Sequence, residues 1–221
     1  MTDLSPATDA EPAVAPAIPM DDERRAWIYR WLADVFAAPP TREIVAAYRG
    51  AAAAILLGEL AADPALAPGI ARMTAALAAD LDDEALTARL GIAFGRLFSG
   101  LGGPETVSPY ESVHRCGGRL FQAPAADMAA LLAAHDLSVA EATREPPDHL
   151  AVELDLMARL IAAHHPDRSV LLARLAAWVP TFCDLCIARD ATGFWAGAAE
   201  VLLSVLAHET RDVADPRSPI N

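Results

Sequence analysis

The chain contains no lysine, so all 17 of its basic residues are arginine, and they are outnumbered by 30 acidic residues. The formal net charge is −13. An acidic surface of this kind repels the phosphates of DNA and RNA, which require a basic face. Nucleic acid is therefore disfavoured as a partner, whereas a cationic ligand would be attracted.

Cysteine is also scarce, with only three residues in the chain: Cys116, Cys183 and Cys186. Three cysteines do not make a disulfide framework, which fits a reducing compartment. Cys183 and Cys186 have the spacing of a redox pair or of half a zinc site, but structural zinc needs four ligands and there is no second pair. We expect both thiols to pack in the core of a helical fold.

Long apolar runs are missing as well. Although the mean hydropathy is +0.26, the uncharged run at 50–58 is only nine residues long. A membrane-spanning helix needs about 20 residues. Residues 1–23 hold six acids and no base, unlike an export signal, which begins with positive charge. We therefore predict no stable membrane insertion and a cytoplasmic location.

What the chain does have is alanine and leucine. Apolar residues make up 54% of it and aromatic residues only 6%, and β-branched residues are comparatively sparse. Alanine and leucine favour helices, and no segment alternates in the manner of a strand. These features predict an all-α, multi-helix bundle without a sheet.

The predicted organisation is a single helical domain between two tails. Its halves are joined by a loop whose last residue, Pro146, is followed by a second proline. The predicted ranges are an acidic Ala/Pro-rich disordered tail at 1–20, a domain at 21–212 with halves of about 21–135 and 147–212, a loop at 136–146, and a frayed tail at 213–221.

Three predicted helix boundaries depend on proline. Pro64 and Pro68 interrupt the Ala-rich segment, so the next helix is expected at about 69–81. Pro147 suits the first turn of a helix, where its missing N–H costs nothing, so a helix is expected to begin there. Pro180 is expected to break the helix at about 169–188.

The strongest motif is Glu-Pro-Pro-Asp-His at 145–149, at the start of a strongly apolar helix. Two prolines stiffen the loop, so Glu145, Asp148 and His149 lose little entropy when they bind a ligand. The alternative is structural: Asp148 caps the N-terminus of the helix and His149 is incidental.

The second motif is Pro-Tyr-Glu-Ser at 109–112, followed by a histidine. Glu111 and His114 have the Glu-x-x-His spacing of a carboxylate di-iron site, but such a site needs two copies and only one exists. A metal-dependent enzyme using Glu111, His114, His149 and Glu153 stays open as an alternative, as does an adaptor that binds a folded partner.

Together these strings make the chain resemble the TorD/DmsD/NarJ family of molybdoenzyme maturation chaperones. The resemblance covers roughly residues 24–210. It is carried by Pro39-Pro40, by Phe94-x-x-Leu97-Phe98-x-Gly100, by the motifs at 109–112 and 145–149, and by Trp178-x-Pro180 and Phe194-Trp195.

The resemblance implies a chaperone without catalytic residues, cofactor or metal. It implies binding of the twin-arginine signal peptide, the apo form, or both, of a molybdenum-cofactor oxidoreductase until cofactor insertion, by a monomer or a helix-exchanged homodimer. The peptide-binding residues that it implies, together with the aromatic residues expected to line an adjoining groove, are Glu145, Pro147, Asp148, His149, Tyr110, Glu111, Phe94 and Phe98. For Phe98, packing in the core is an equal alternative.

Overall fold

A computed structural model describes residues 20–139 and 145–214, without the side chains of 212–214. Within these ranges it has ten α-helices, one short 3-10 helix at Gly103–Glu105 and no β-strand, so the all-α prediction is confirmed. The predicted tails lie almost wholly outside the described residues. The helices are α1 (Asp22–Ala37), α2 (Arg42–Tyr48), α3 (Ala51–Ala61), α4 (Ala67–Leu77), α5 (Asp83–Phe98), α6 (Glu111–Arg115), α7 (Ala123–Ala134), α8 (Leu150–Ala162), α9 (Arg168–Arg189) and α10 (Phe194–Ala214).

Several helices begin at a residue whose side chain caps them. Asp21, Thr41 and Asp82 each accept a hydrogen bond from the backbone N–H three residues further on. Such a cap satisfies one of the free N–H groups at a helix start and contributes about 1 kcal/mol. Local sequence thus sets where α1, α2 and α5 start.

Two of the proline-based boundaries were wrong. Helix α4 begins at Ala67, so Pro68 lies inside its first turn, where a proline has no hydrogen bond to lose. Helix α9 runs through Pro180 without a break. Trp178, Val179 and Phe182 around this proline are buried, so tertiary packing holds the helix across it.

The helix after the Glu-Pro-Pro-Asp-His motif at 145–149 also starts later than predicted. It begins at Leu150, and Pro147 and Asp148 form a turn before it. Its N-cap is His149, whose Nδ1 accepts the backbone N–H of Ala151 at 3.1 Å. Asp148 therefore does not cap the helix that follows it.

Helices from the two predicted halves pack on each other. Helix α8 lies between α1 and α9, and α10 packs against both α9 and α4. Gly69 of α4 and Gly197 of α10 allow the closest approach, since a Cβ on Gly69 would lie 2.6 Å from the carbonyl oxygen of Gly197. The core is continuous from the first half of the chain to the second.

Helix α9 is the one described helix that is long and apolar enough to cross a membrane, and the bent pair α2 and α3 would make a second. Eight residues of α9 are buried inside the protein. Its apolar surface is therefore used to a large extent in packing against α6, α8 and α10.

Candidate functional site

The two sequence motifs lie side by side, although 32 residues separate Ser112 from Glu145 at their nearest ends. The backbone N–H of Glu111 donates to the carbonyl of Asp148 at 3.1 Å, and the N–H of Leu150 donates to the carbonyl of Pro109 at 2.8 Å. These two bonds form an isolated antiparallel bridge. The two motifs are thus parts of one structure.

Asp148 joins the motifs through its side chain. It is completely buried, and its Oδ2 accepts the backbone N–H of Ser112 at 2.8 Å and the Ser112 hydroxyl at 2.5 Å. The carboxylate therefore caps α6, a helix 36 residues earlier in the chain. Capping was the structural alternative for Asp148, but it acts on a different helix from the one expected.

Glu111 and Glu153 are completely buried under this bridge and share one cation. Glu111 contacts the guanidinium of Arg174 and accepts from Arg115 at 2.5 Å. Glu153 lies 3.5 Å from Nε of Arg174 and accepts from Nε1 of Trp178 at 3.1 Å. These contacts connect α6, α8 and α9.

Two buried carboxylates beside one guanidinium do not both keep a full negative charge at low cost. Burial raises the pKa of Glu153 well above its ordinary value, and the negative charge of Glu111 raises it further. Arg174 and the Trp178 indole oppose these effects. Glu153 therefore favours its protonated form, while Glu111 has guanidinium groups on two sides.

Above this layer, Glu145 is exposed to solvent. The hydroxyl of Tyr110 donates to its Oε2 at 2.5 Å, and the Tyr110 ring stands edge-on to the His149 ring at 5.0 Å. Burial lowers the pKa of His149, while Glu145 and Asp148 oppose the shift. Burial, followed by the bond to Glu145, raises the pKa of Tyr110. Glu145 is thus the carboxylate of the two motifs that a ligand can reach directly.

Glu145 and His149 line a cavity of about 330 Å³ between α1, α7 and α8. We call it the acidic groove. Its other acids are Asp34 and Asp155, and Asp155 is already paired with Arg30 at 2.7 Å and with Arg159 at 2.8 Å. Apolar side chains form much of the wall, among them Leu132, Leu137, Val152 and Leu156. The groove can hold an apolar segment and attract a positive charge at its edge.

Phe94 and Phe98 do not reach this groove. Their rings lie 5.1 Å apart in an aromatic cluster with Phe36, Phe182 and Trp195, and both are buried. Packing in the core, the alternative given for Phe98, describes both residues. The two cysteines of α9 are also buried in the core, as expected, and burial raises the pKa of each thiol.

The residues of the alternative metal enzyme do not form a ligand cluster. His114 bonds through Nε2 to the Ser108 carbonyl at 2.7 Å, and its ring packs on Trp178, with burial lowering its pKa. Among the described residues, one group of three possible ligands lies close together, and it contains neither Glu111 nor His149. The geometry gives that alternative no support.

The most important residue that the sequence analysis missed is Arg174. It contacts both buried glutamates and also donates to the Pro124 carbonyl. A signal was present, because Glu153 is an acid within the apolar face of α8 and Arg174 is a base within the largely apolar α9. Isolated opposite charges on two buried helices indicate a pair, since an unpaired buried charge is very costly.

A second cavity, of about 590 Å³, has a lining in which three basic residues face two acidic ones. Arg89, Arg96 and Arg189 line it, together with the exposed apolar side chains of Ile92 and Leu101. We call it the arginine cleft. Glu105 and Asp190 also line it, and Glu105 lies 3.7 Å from Nε of Arg189, so the net positive charge of the cleft is small.

Comparison with known proteins agrees with the resemblance seen in the motifs. The model of the "Nitrate reductase delta subunit" family matches residues 63–184. Chaperone protein TorD of Vibrio cholerae is 30% identical over 201 residues, covering 85% of this chain and 91% of its own. TorD of Aliivibrio salmonicida is 30% identical over 207 residues, covering 87% and 96%.

A solved structure described as a redox enzyme maturation protein, from Archaeoglobus fulgidus, is also similar in fold. It has a TM-score of 0.49 and 21% identity, and the match covers 81% of this chain and 92% of that chain. The fold and the joined motifs define an all-helical protein whose described helices share one continuous core. The sequence matches are more specific: the chain belongs to the TorD/NarJ family.

Proposed function

We propose that this chain is a system-specific chaperone of a molybdenum-cofactor oxidoreductase. It binds the twin-arginine signal peptide of the precursor, the apo form, or both, and holds the precursor in the cytoplasm until the cofactor is inserted. The observation that supports peptide binding best is the acidic groove beside the junction of the two motifs.

The groove matches the two chemical parts of such a peptide. Its apolar wall suits the apolar segment, and its rim carboxylates suit the arginine pair. Planar guanidinium groups can bond bidentately to carboxylates. Glu145 is exposed and Asp34 is exposed on α1, so both are within reach of a ligand.

The apolar segment contributes more to affinity than the charges do. Burial of one Leu-sized side chain contributes about 1.5–3 kcal/mol, whereas an exposed ion pair contributes about 0–1 kcal/mol. Two buried side chains therefore outweigh two rim pairs. The arginines mainly orient the peptide and speed its association with a protein of net charge −13.

The buried acids take a positioning role in this proposal. Asp148 fastens the 145–149 turn to α6, and Glu111 with Arg174 fastens α6 to α9. The turn that presents Glu145 and His149 is thereby held rigid before a ligand arrives. Preorganisation of this kind lowers the entropy lost on binding.

Calorimetric titration with three synthetic peptides tests the proposal. We expect the twin-arginine peptide to bind, and the same peptide with two lysines to bind up to about tenfold more weakly, a loss of about 1.4 kcal/mol. A peptide whose apolar leucines are replaced by serine should bind at least about a hundredfold more weakly.

Equal affinity for the serine peptide would refute the groove as the source of affinity. If none of the peptides binds, the signal-peptide part of the proposal fails. Co-purification from native cells then tests the other part, because a molybdoenzyme precursor should accompany the chain and a folded, cofactor-loaded enzyme should not.

A further inference from the structure

Outside the acidic groove, two histidines and an aspartate converge at the ends of three helices. His135 follows α7, and His165 and Asp167 lie in the turn between α8 and α9. Nε2 of His135 lies 3.1 Å from Oδ2 of Asp167, and Nδ1 of His165 lies 3.8 Å from the same oxygen. The three ligand atoms all lie within 4.8 Å of one another.

Helix-end hydrogen bonds hold the two histidines in place. The chain reverses after α7 at Asp136, with φ of 55°, and after α8 at His164, with φ of 49°. The N–H of His135 bonds to Leu132 and that of His165 to Leu160, at 3.0 and 2.9 Å. Both imidazoles are therefore attached to helix ends, and Asp167 is the residue that precedes α9.

The spacing is close to that of a tetrahedral metal site. Zinc ligands lie about 2.0–2.2 Å from the metal, so ligand atoms of one tetrahedral site are about 3.3–3.6 Å apart. The observed distances of 3.1 and 3.8 Å fall on either side of this range. The third separation, between the two imidazole nitrogens, is at most 4.8 Å, so a bound ion would draw the three donors together.

The tautomer of His165 also suits a metal. Its Nδ1 accepts the backbone N–H of Asp167 at 3.2 Å, so this nitrogen carries a lone pair and the proton is on Nε2. A bound metal takes over that lone pair. The exposed fractions of the His135, His165 and Asp167 side chains are 16%, 41% and 38%, so an ion can enter from solvent.

We propose that His135, His165 and Asp167 form a binding site for Zn²⁺ or a divalent transition metal of similar preference. Two imidazoles and one carboxylate suit zinc, cobalt and nickel, whereas magnesium and calcium prefer oxygen ligands alone. Three protein ligands leave a fourth position open to water or to a donor from a partner. The ion joins α7 to the turn before α9.

The proposed metal site lies next to the acidic groove. Leu132 and Leu137, on either side of His135, line the groove wall. A metal at His135 therefore stiffens that wall and raises the resistance of the chain to thermal unfolding, because the ion binds the folded arrangement of two segments that are distant in sequence.

The test uses the untagged full-length chain, freed of metal by dialysis against a chelator. CoCl₂ is added while the visible d–d absorption is recorded, and ZnCl₂ is then added in competition. We expect one equivalent of Co²⁺ in tetrahedral coordination, its displacement by Zn²⁺, and a rise of several degrees in the thermal midpoint with Zn²⁺. His135→Gln and Asp167→Asn should each weaken binding at least about tenfold.

His164→Ala is the matched control, because this neighbouring histidine is exposed and contacts Asp22 rather than the cluster. It should bind metal as the wild type does. The far-UV circular dichroism of each variant shows that it is folded. The proposal is overturned if stoichiometric Co²⁺ is not bound, if His135→Gln keeps wild-type affinity, or if a thiolate charge-transfer band shows cysteine as the ligand.

Discussion

The acidic residues at the two motifs form an inner and an outer layer. Both layers contain carboxylates, but the inner ones are buried and the outer one is exposed to solvent. In the inner layer, Glu111, Asp148 and Glu153 are completely buried and bonded within the protein. In the outer layer, Glu145 is exposed at the acidic groove, with Tyr110 as its hydrogen-bond donor. Acids a few residues apart thus have different surroundings: the inner ones hold the fold, and we propose that the outer one meets a ligand.

The sharpest test of the inner layer is removal of its shared cation. Arg174→Ala leaves Glu111 and Glu153 buried without their common partner, and breaking a buried pair costs about 3–5 kcal/mol. For a chain of this size we expect the thermal midpoint to fall by roughly 6–20 °C. Arg72→Ala is the control, since its partly exposed pair with Glu200 contributes about 0–1 kcal/mol. Similar thermal midpoints for the two variants would contradict the claim that the inner layer stabilises the fold.

Substitution of Asp148 should have the next largest effect on stability. Asp148→Ala removes the acceptor of two hydrogen bonds from Ser112, and a bond to a charged group contributes about 1.5–3 kcal/mol. We expect a loss of about 3 kcal/mol in urea unfolding, and a smaller loss in Asp148→Asn, which keeps an acceptor oxygen. The opposite result would be a loss of peptide affinity with an unchanged thermal midpoint. That result would return Asp148 to the outer layer.

The raised pKa of Glu153 predicts a pH dependence with a definite sign. An unfolded chain releases this proton near pH 4.5, whereas the folded chain holds it to higher pH. The contribution to stability is complete below about pH 4.5 and is lost as pH rises through the folded-state pKa. Urea midpoints across this window should fall less steeply in Glu153→Gln than in the wild type.

Glu111→Gln is the matched comparison for Glu153→Gln. It weakens the contacts of Glu111 with Arg115 and Arg174, so it should lower the free energy of unfolding at pH 7. Glu153→Gln should leave the free energy of unfolding at that pH almost unchanged. The same pH slope in the wild type and Glu153→Gln would show that Glu153 ionises normally in the folded chain.

The smallest effect on the fold belongs to the outer layer. Glu145→Gln should change the free energy of unfolding by less than about 0.5 kcal/mol, because the side chain is exposed. It should weaken binding of the twin-arginine peptide by up to about fivefold, which is the range expected for loss of an exposed ion pair. Glu59→Gln, an exposed acid on α3, makes the same change in net charge and should leave affinity unaltered.

Much of the fold could be predicted because it depends on local chemistry. Asp21, Thr41 and Asp82 start helices where their side chains cap them. The wrong boundaries depend on distant residues: Pro180 continues α9 because buried neighbours hold it, and Asp148 caps a helix 36 residues away. Residue spacing cannot show such tertiary contacts.

The same limit applies to the candidate site. The two motifs could be recognised from sequence, but their division into layers depends on burial, which only the packing of α6, α8 and α9 reveals. Phe94 was expected in the groove, and Phe98 in the groove or the core, because the sequence does not show which of the two an aromatic side chain enters. Asp34 lies far from both motifs in sequence and reaches the groove only through the packing of α1 on α8.

The most direct measurement of the central claim is peptide affinity after the acidic groove is filled. Ala37 lines the groove and is exposed, so Ala37→Trp should block it without disturbing the core, whereas Ala75→Trp adds the same ring to an exposed site on α4. We predict that fluorescence anisotropy with a labelled twin-arginine peptide shows at least a tenfold loss for Ala37→Trp and none for Ala75→Trp. Wild-type affinity in Ala37→Trp, with both variants folded, would contradict the account.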